Sequence, residues 1–182
     1  LASGGRNLFY HYNSHRYLLN YLEDFDPAEL QIYKCRVNLE SASIPANTSI
    51  VRAIENHDRK RIASYTDSKQ IALNVLAYSF FTKGPSFVYR DEENGQKHTP
   101  SLFDKDTVEW ANDKETYELY KKLVDLKHRE KNKELLQTIL DQDRTTSIKA
   151  TNGYKDGKEE IGLFSLNPAG VSVPVEQGKY KD

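Results

Sequence analysis

The sequence predicts an α/β domain followed by a small antiparallel β domain. Short apolar, β-branched segments are each followed by a polar loop and then by a helical pattern, and this order occurs twice, beginning near Ser49 and near Phe87. Such alternation is typical of βα units that share a parallel sheet. After about Glu134 the pattern changes to short alternating segments separated by turn sequences, which indicates antiparallel strands.

Composition narrows the possible partners. The chain has 26 Lys and Arg residues against 27 Asp and Glu residues, so its formal net charge is −1. No basic stripe could follow a phosphate backbone, so we expect no nucleic-acid partner. No apolar run approaches the roughly 20 residues that span a bilayer, so we expect a soluble chain without a membrane partner.

The residue types also bear on redox state and on the N-terminus. Cys35 is the only cysteine, which excludes an intrachain disulfide. The sequence contains no methionine, so Leu1 is not an initiator and we expect the natural N-terminus to be missing. Because a signal peptide would precede Leu1, a cytoplasmic and a secreted location both stay open.

The first predicted elements are a strand and two helices. Residues 6–12, beginning at Arg6, are rich in aromatic side chains, which favours a strand. A helix follows over residues 15–23. Asp26 before Pro27 is typical of a helix start, and we expect this second helix to reach about Glu40 before residues 44–47 break it.

Two strand, loop and helix units follow. Residues 49–54 predict a buried strand that ends at a polar cluster, and Asp67 is the predicted cap of a mostly apolar helix that runs to Phe80. Residues 87–89 predict the next strand, again followed at once by charged side chains. After a long loop to Trp110, a further helix is predicted to begin at Asp113.

The C-terminal segment is predicted to be antiparallel. Strands are expected at residues 146–150 and 161–166, with turns at 152–153 (Asn-Gly) and 155–157 (Lys-Asp-Gly). Residues 176–182 are expected to be a frayed or truncated end.

Three segments resemble motifs of one family, in that family's order. Residues 53–58 (AIENHD), with Arg61, resemble the motif after the seventh barrel strand of the α-amylase family, glycoside hydrolase family 13, where an Asn-His-Asp triplet faces the bound sugar. Residues 87–93 (FVYRDEE) resemble the eighth strand, an aromatic pair followed by Tyr-x-Gly-x-Glu, and residues 100–104 (PSLFD) resemble a loop that follows it. The sequence departs from the pattern at Asp91, where the family commonly has Gly.

The resemblance implies an architecture. Residues from about Arg6 to Arg129 would be the last third of a (β/α)8 TIM barrel. The full prediction is an α/β fold, the C-terminal part of a (β/α)8 barrel over residues 1–133, with about strands six to eight and their helices, followed by an antiparallel β domain over residues 134–182 that is itself incomplete.

The resemblance also implies a function. A retaining glycosidase needs a nucleophile and an acid, two carboxyl groups about 5–5.5 Å apart. In this family the nucleophile lies in a Gly-x-Arg-x-Asp pattern, which does not occur here. We therefore expect the C-terminal part of an enzyme that acts on starch-like α-glucans or maltooligosaccharides, inactive when alone.

Five residues form the predicted site. The resemblance makes Asp58 the stabiliser of the transition state, acting on hydroxyls of the sugar, with His57 donating to the same hydroxyls and Asn56 holding the turn. Arg61 and Tyr89 complete the predicted substrate-binding set. A solvated loop without a ligand is the alternative for residues 55–58.

Other side chains have simpler predicted roles. Glu92 and Glu93 are expected to be solvated at the rim. His11 and His15 have the i, i+4 spacing of a metal pair but no third ligand, so we expect no metal there and positions near the sugar cleft instead. Trp110 and Phe103, with Tyr89, could stack on sugar or pack the loop itself.

Cofactors, partners and rival functions complete the predictions. The resemblance requires no cofactor and is compatible with Ca²⁺ in the complete enzyme. An incomplete barrel exposes a sheet edge, so we expect self-association or pairing with the missing half. A catalytically inactive carbohydrate-binding or interaction module is the alternative function, and an unrelated α/β domain is a third possibility.

Overall fold

A computed structural model describes residues 7–45, 47–107, 110–130 and 135–170. Arg6, Ala46, the proposed boundary at 133/134 and the tail at 176–182 lie outside these ranges. In chain order the elements are β1 (Asn7–Tyr10), α1 (Arg16–Asp24), α2 (Pro27–Ser43), β2 (Thr48–Ala53), α3 (Lys69–Phe81), β3 (Ser86–Phe87), α4 (Lys114–Glu130), β4 (Leu135–Leu140), β5 (Ser147–Tyr154) and β6 (Glu159–Ser165). Short 3-10 turns lie at Ile62–Ser64 and Glu92–Asn94.

The first sheet is parallel, with strand order β1, β2, β3. Phe9 is opposite Ile50 across the first pair, and Ala53 is opposite Phe87 across the second. The two predicted βα strands are therefore neighbours, as expected. β3 ends at Phe87, two residues before the predicted end, because the Tyr89 amide donates to the Glu92 carboxyl (2.9 Å) and so turns away from the ladder.

Capping explains where the helices begin. Asp26 caps α2 as predicted, its Oδ1 accepting from the Ala28 amide at 2.9 Å. The predicted cap of α3 was wrong by one residue, since Ser68 rather than Asp67 accepts from the Ile71 amide, at 3.4 Å. Before α4, the Asp113 carboxylate accepts from the amides of Glu115 and Thr116, which satisfies donors that the first helical turn leaves free.

The second sheet is antiparallel, in the order β4, β5, β6. β4 was not predicted, and the turn predicted at Asn152 and Gly153 was wrong, because both residues lie inside β5. Asn152 is fully buried, its Oδ1 accepts from the Thr138 hydroxyl at 2.6 Å, and its Nδ2 donates to the Phe81 carbonyl at 2.8 Å. These partners outweigh the local turn preference of Asn-Gly. The predicted turn at 155–157 is present, closed by the Gly157 amide on the Tyr154 carbonyl at 3.0 Å.

Helix α3 lies at the centre of one apolar core, as its mostly apolar sequence predicted. Leu18 and Leu30 from α1 and α2 belong to this core, and so do Ile148 and Phe164 from the second sheet. The ring of Phe164 contacts that of Tyr78 in α3, with centroids 5.5 Å apart. The antiparallel sheet and helices α1 and α2 therefore share one core with α3.

The position expected for His15 was wrong. Its ring is completely buried, and its Nδ1 lies 2.8 Å from the Tyr33 hydroxyl, which in turn donates to the Tyr78 hydroxyl at 2.9 Å. Burial lowers the pKa of His15 to about 3, so the imidazole is neutral. His11 pairs instead with Glu40 at 3.1 Å, so the two imidazoles have separate partners.

Gly84 should tolerate no side chain. Its φ is +102°, and an added Cβ would lie 2.3 Å from the backbone oxygen of Ile50 in β2. We expect Gly84→Ala to lower the free energy of unfolding by several kcal/mol, well beyond the roughly 1–2 kcal/mol that a left-handed conformation costs an L-residue. Gly157→Ala is the matched control, since its φ is +80° and nothing lies within 4 Å of the added Cβ. Equal losses in urea-unfolding experiments would contradict the clash.

Candidate functional site

The candidate site lies at the carboxyl end of the parallel sheet. Because β1, β2 and β3 are parallel, the chain leaves each strand at the same edge. Three connections therefore meet there, beginning at His11, Ile54 and Val88 respectively. This edge is where open α/β sheets and barrels place their chemistry.

Asn56 holds the turn that follows β2. Its Oδ1 accepts from the Asp58 amide at 2.9 Å, and the Arg59 amide donates to its backbone carbonyl at 3.3 Å. Its Nδ2 donates to the Tyr10 hydroxyl at 3.2 Å, which attaches the turn to the neighbouring strand. The Asn56 side chain is buried, so its polar atoms form hydrogen bonds within the protein.

His57 and Asp58 project from this turn into solvent. Their side chains are 61% and 36% exposed, and His57 Nε2 lies 3.4 Å from Asp58 Oδ2. The same carboxylate oxygen accepts from the Tyr12 hydroxyl at 3.1 Å. Asp58 and His57 are thus an accessible hydrogen-bond acceptor and an accessible imidazole, in contact with each other at the carboxyl end of the sheet.

Tyr12 and Arg59 were not predicted at the site. Arg59 Nη2 donates to the Tyr12 carbonyl and, at 3.4 Å, to Asn13 Oδ1, and its guanidinium lies over the Tyr12 ring at 5.0 Å from the centroid. Arg59 therefore fixes the ring whose hydroxyl orients Asp58. The only sequence signal for Tyr12 was its place at the end of an aromatic strand segment.

Arg61 was predicted to bind substrate, but its side chain is buried within the protein. Its side chain is 1% exposed, and its Nη1 donates to Glu55 Oε2 at 2.6 Å. Nη2 donates to the Arg90 carbonyl at 2.6 Å and Nε to the His98 carbonyl at 3.2 Å. The guanidinium also covers the Tyr89 ring at 4.7 Å, so Tyr89 is joined to it rather than to the His57 and Asp58 pair.

The prediction that Glu92 is solvated was wrong. Glu92 is buried, and its carboxyl accepts from the Tyr120 hydroxyl and the Tyr89 amide. Burial, together with the charge of nearby Glu55, raises the pKa of Glu92 to about 8, while these two donors and Arg61 oppose the rise. Burial also raises the pKa of Glu55, against the Ile62 amide and Arg61. Glu93 is only partly exposed.

Asp91 shows how a non-glycine residue occupies the loop after β3. Its φ of 63° lies in the left-handed region, which explains why the resembling pattern has Gly there. Its carboxylate accepts from Asn94 Nδ2 at 2.7 Å and from the Ala111 amide at 2.9 Å. Aspartate is among the few residues that tolerate this conformation, and these hydrogen bonds stabilise it.

The remaining aromatic candidates lie in the long loop that follows. Phe103 is 95% exposed and Trp110 is 68% exposed, so neither side chain packs the loop. Within the described ranges, no three His, Cys, Asp or Glu side chains cluster as a metal site. The described helices also include none long and apolar enough to cross a membrane.

Two solved α-amylase structures are similar to this chain. An α-amylase from Lactobacillus plantarum matches 80% of this chain at 28% sequence identity with a TM-score of 0.66. The chain is related to the α-amylase family. A maltogenic α-amylase from Thermotoga neapolitana matches 88% of the chain at 20% identity with a TM-score of 0.73, which shows the shared fold.

The match to these amylases is partial in length. The chain spans 34% of the Lactobacillus enzyme and 38% of the Thermotoga enzyme. No protein-family model matches the sequence, and no curated protein matches it. The α-amylase relationship predicted from the three segments at 53–58, 87–93 and 100–104 is thus confirmed through structure, and an α/β fold with an antiparallel sheet agrees with it.

Buried Glu92 should make stability depend on pH. The ordinary pKa of this carboxyl is 4.5, and in the folded chain it is about 8. Between these values the folded state holds a proton that the unfolded state has lost, so the contribution of Glu92 to stability falls as pH rises from about 4.5 to 8. Glu92→Gln cannot ionise, so the melting temperature of this variant relative to the wild type should rise across that interval. Parallel melting curves from pH 4.5 to 8 would contradict it.

Proposed function

We propose that this chain is part of an α-amylase-type glycoside hydrolase that cleaves α-glucosidic bonds in starch-like glucans or maltooligosaccharides with retention of configuration. The observation that carries the proposal is the accessible pair of His57 and Asp58 at the carboxyl end of a parallel sheet. The relationship to α-amylases supports the reaction class.

Asp58 has the chemistry of a transition-state stabiliser in this proposal. Cleavage of a glycosidic bond creates positive charge on the sugar ring, and a carboxylate that accepts hydrogen bonds from the adjacent hydroxyls is stabilised further as that charge develops. The Tyr12 hydroxyl at 3.1 Å holds Oδ2 in place, while His57 offers a donor beside it. The pair would thus stabilise the transition state more than it stabilises the ground state.

The nucleophile and the acid would come from polypeptide outside these 182 residues. The Gly-x-Arg-x-Asp pattern that carries the nucleophile in the family does not occur in the sequence. In this proposal β1, β2 and β3 are the last strands of a (β/α)8 barrel, and the other strands hold the two missing carboxyl groups. The proposal needs no cofactor. The proposal is also compatible with a Ca²⁺ ion in the complete enzyme.

β1 has the surface expected of a strand that lacks a neighbour. Leu8, Phe9 and Tyr10 are 60%, 55% and 49% exposed, although alternate residues point to opposite faces of a strand. β1 is therefore uncovered on both faces, and it forms one edge of the sheet. We propose that further strand and helix units of the same barrel pack on it in the complete enzyme.

Asp58→Asn tests the catalytic role. In the hydrolase that carries this sequence, we expect kcat on maltooligosaccharides to fall by about 100-fold or more with little change in KM, because an amide accepts hydrogen bonds without a charge to offset the developing cation. Asp67→Asn is a matched control, since Asp67 is exposed on the same connection and does not cap α3. Unchanged kcat would remove Asp58 from the mechanism. Turnover by the 182-residue chain alone would show that the nucleophile and acid lie within it.

The uncovered β1 predicts association of the isolated chain. Light scattering after size exclusion should show a mass above 21.0 kDa that grows with concentration. Phe9→Asp should shift the chain toward the monomer, whereas Phe103→Asp, which replaces an even more exposed ring in a loop, should not. A wild-type chain that stays monomeric at all concentrations would contradict this interpretation of β1.

A further inference from the structure

We propose that Arg61, anchored by Glu55, is a positioning residue that fixes the His57 and Asp58 pair by joining two loops, the connections after β2 and after β3, and that it does not itself bind sugar. The catalytic consequence rests on the proposed function. The positioning itself rests only on contacts within this chain.

The first step is that Arg61 has no surface to offer a ligand. Its side chain is 1% exposed, and Nε, Nη1 and Nη2 each donate to an acceptor of the protein. One face of the guanidinium is covered by the Tyr89 ring. A sugar hydroxyl could reach it only if these contacts were broken.

The second step is that Glu55 closes the loop that carries the pair. Its Oε2 accepts from Arg61 Nη1 at 2.6 Å, and its Oε1 accepts from the Ile62 amide at 2.7 Å. One carboxylate thus ties the two ends of the segment from 55 to 62 together. His57 and Asp58 lie between those ends, and within the turn the Asn56 side chain accepts a hydrogen bond from the Asp58 amide. A short loop fixed at both ends has few conformations left, so the pair is held in place before a ligand arrives.

The third step is that Arg61 joins this loop to the connection after β3. Nη2 donates to the Arg90 carbonyl at 2.6 Å, and Nε donates to the His98 carbonyl at 3.2 Å. The Arg90 carbonyl lies near the start of this connection, and the His98 carbonyl lies further along it. The guanidinium therefore links the turn that carries Asp58 to the connection after β3, together with the Ser64 hydroxyl, which donates to the Lys97 carbonyl at 2.8 Å.

The fourth step is that only a guanidinium fits this position. Three acceptors lie in three directions around Arg61, and a planar fork of N–H donors satisfies them together, whereas a lysine ammonium is a single point charge on a flexible stem. The cation also lies close to two buried carboxyls, those of Glu55 and Glu92. The charge and the planar shape of the Arg61 guanidinium are therefore both matched by groups within the protein.

The test of positioning uses the chain itself. Arg61→Lys and Glu55→Gln should shift the NMR resonances of the His57 imidazole and the Asp58 amide, because the closed loop relaxes. Arg52→Lys is the matched control. Arg52 lies in β2, pairs with Glu40 at 2.8 Å and donates to the Lys83 carbonyl, and is also largely buried. His57 and Asp58 resonances that stay fixed in Glu55→Gln, or that move as far in Arg52→Lys, would overturn the proposal. Glu55→Gln keeps an acceptor for the Ile62 amide, so it tests the claim even if Arg61→Lys does not fold.

The kinetic test separates positioning from sugar binding. In the hydrolase that carries this sequence, Arg61→Lys should lower kcat by about 10- to 100-fold with KM little changed, as expected for a displaced catalytic group. The same change should have little further effect in an Asp58→Asn background, because both act through one group. A raised KM with kcat retained, in both backgrounds, would mean direct sugar contact and overturn the proposal. If Asp58→Asn alone leaves kcat unchanged, the proposed function fails while the NMR result still decides the positioning.

Discussion

The buried ion pair between Glu55 and Arg61 is the interaction on which the site depends. Both side chains are 1% exposed, so each charge has lost its hydration and is stabilised only by the other and by hydrogen bonds. In such a pair the loss of one partner costs about 3–5 kcal/mol, because the remaining charge stays buried. The Ile62 amide and two backbone carbonyls complete the bonding around the pair. This buried pair lies in the same segment, residues 55–62, as the accessible His57 and Asp58.

The packed elements of the α/β layer have a structural role, and the loops at the carboxyl end of the parallel sheet carry the chemical groups. Around α3 the contacts are apolar, and the parallel pairing of β1, β2 and β3 sets the direction in which the loops leave the sheet. Beyond the strand ends, polar contacts bring the three connections together: Tyr10 holds Asn56, Tyr12 holds Asp58, and Arg61 holds the connection after β3. Apolar packing supplies the scaffold, and directional hydrogen bonds determine which groups face solvent.

Local patterns predicted much of this fold, and long-range contacts account for the errors. The parallel strands, the Asp26 cap and the position of His57 and Asp58 at a strand end depend on neighbouring residues, which the sequence displays. The misplaced residues are polar groups that find distant partners: Asn152 with Thr138 and Phe81, Glu92 with Tyr120, and His15 with Tyr33. Their environment is created by residues 14 to 71 positions away, so no local preference reveals it. The same holds for Arg61, whose motif position predicted the site but not its buried role.

The side chain of Asn152 carries a consequence for the unfolding of the protein. It links β5 to β4 through Thr138 and to the last turn of α3 through the Phe81 carbonyl, in a place closed to water. Detaching the second sheet would leave that carbonyl without a partner and expose the aromatic contacts between Phe164 and α3. The second sheet and α3 are thus coupled, because the unfolding of either one removes buried contacts of the other.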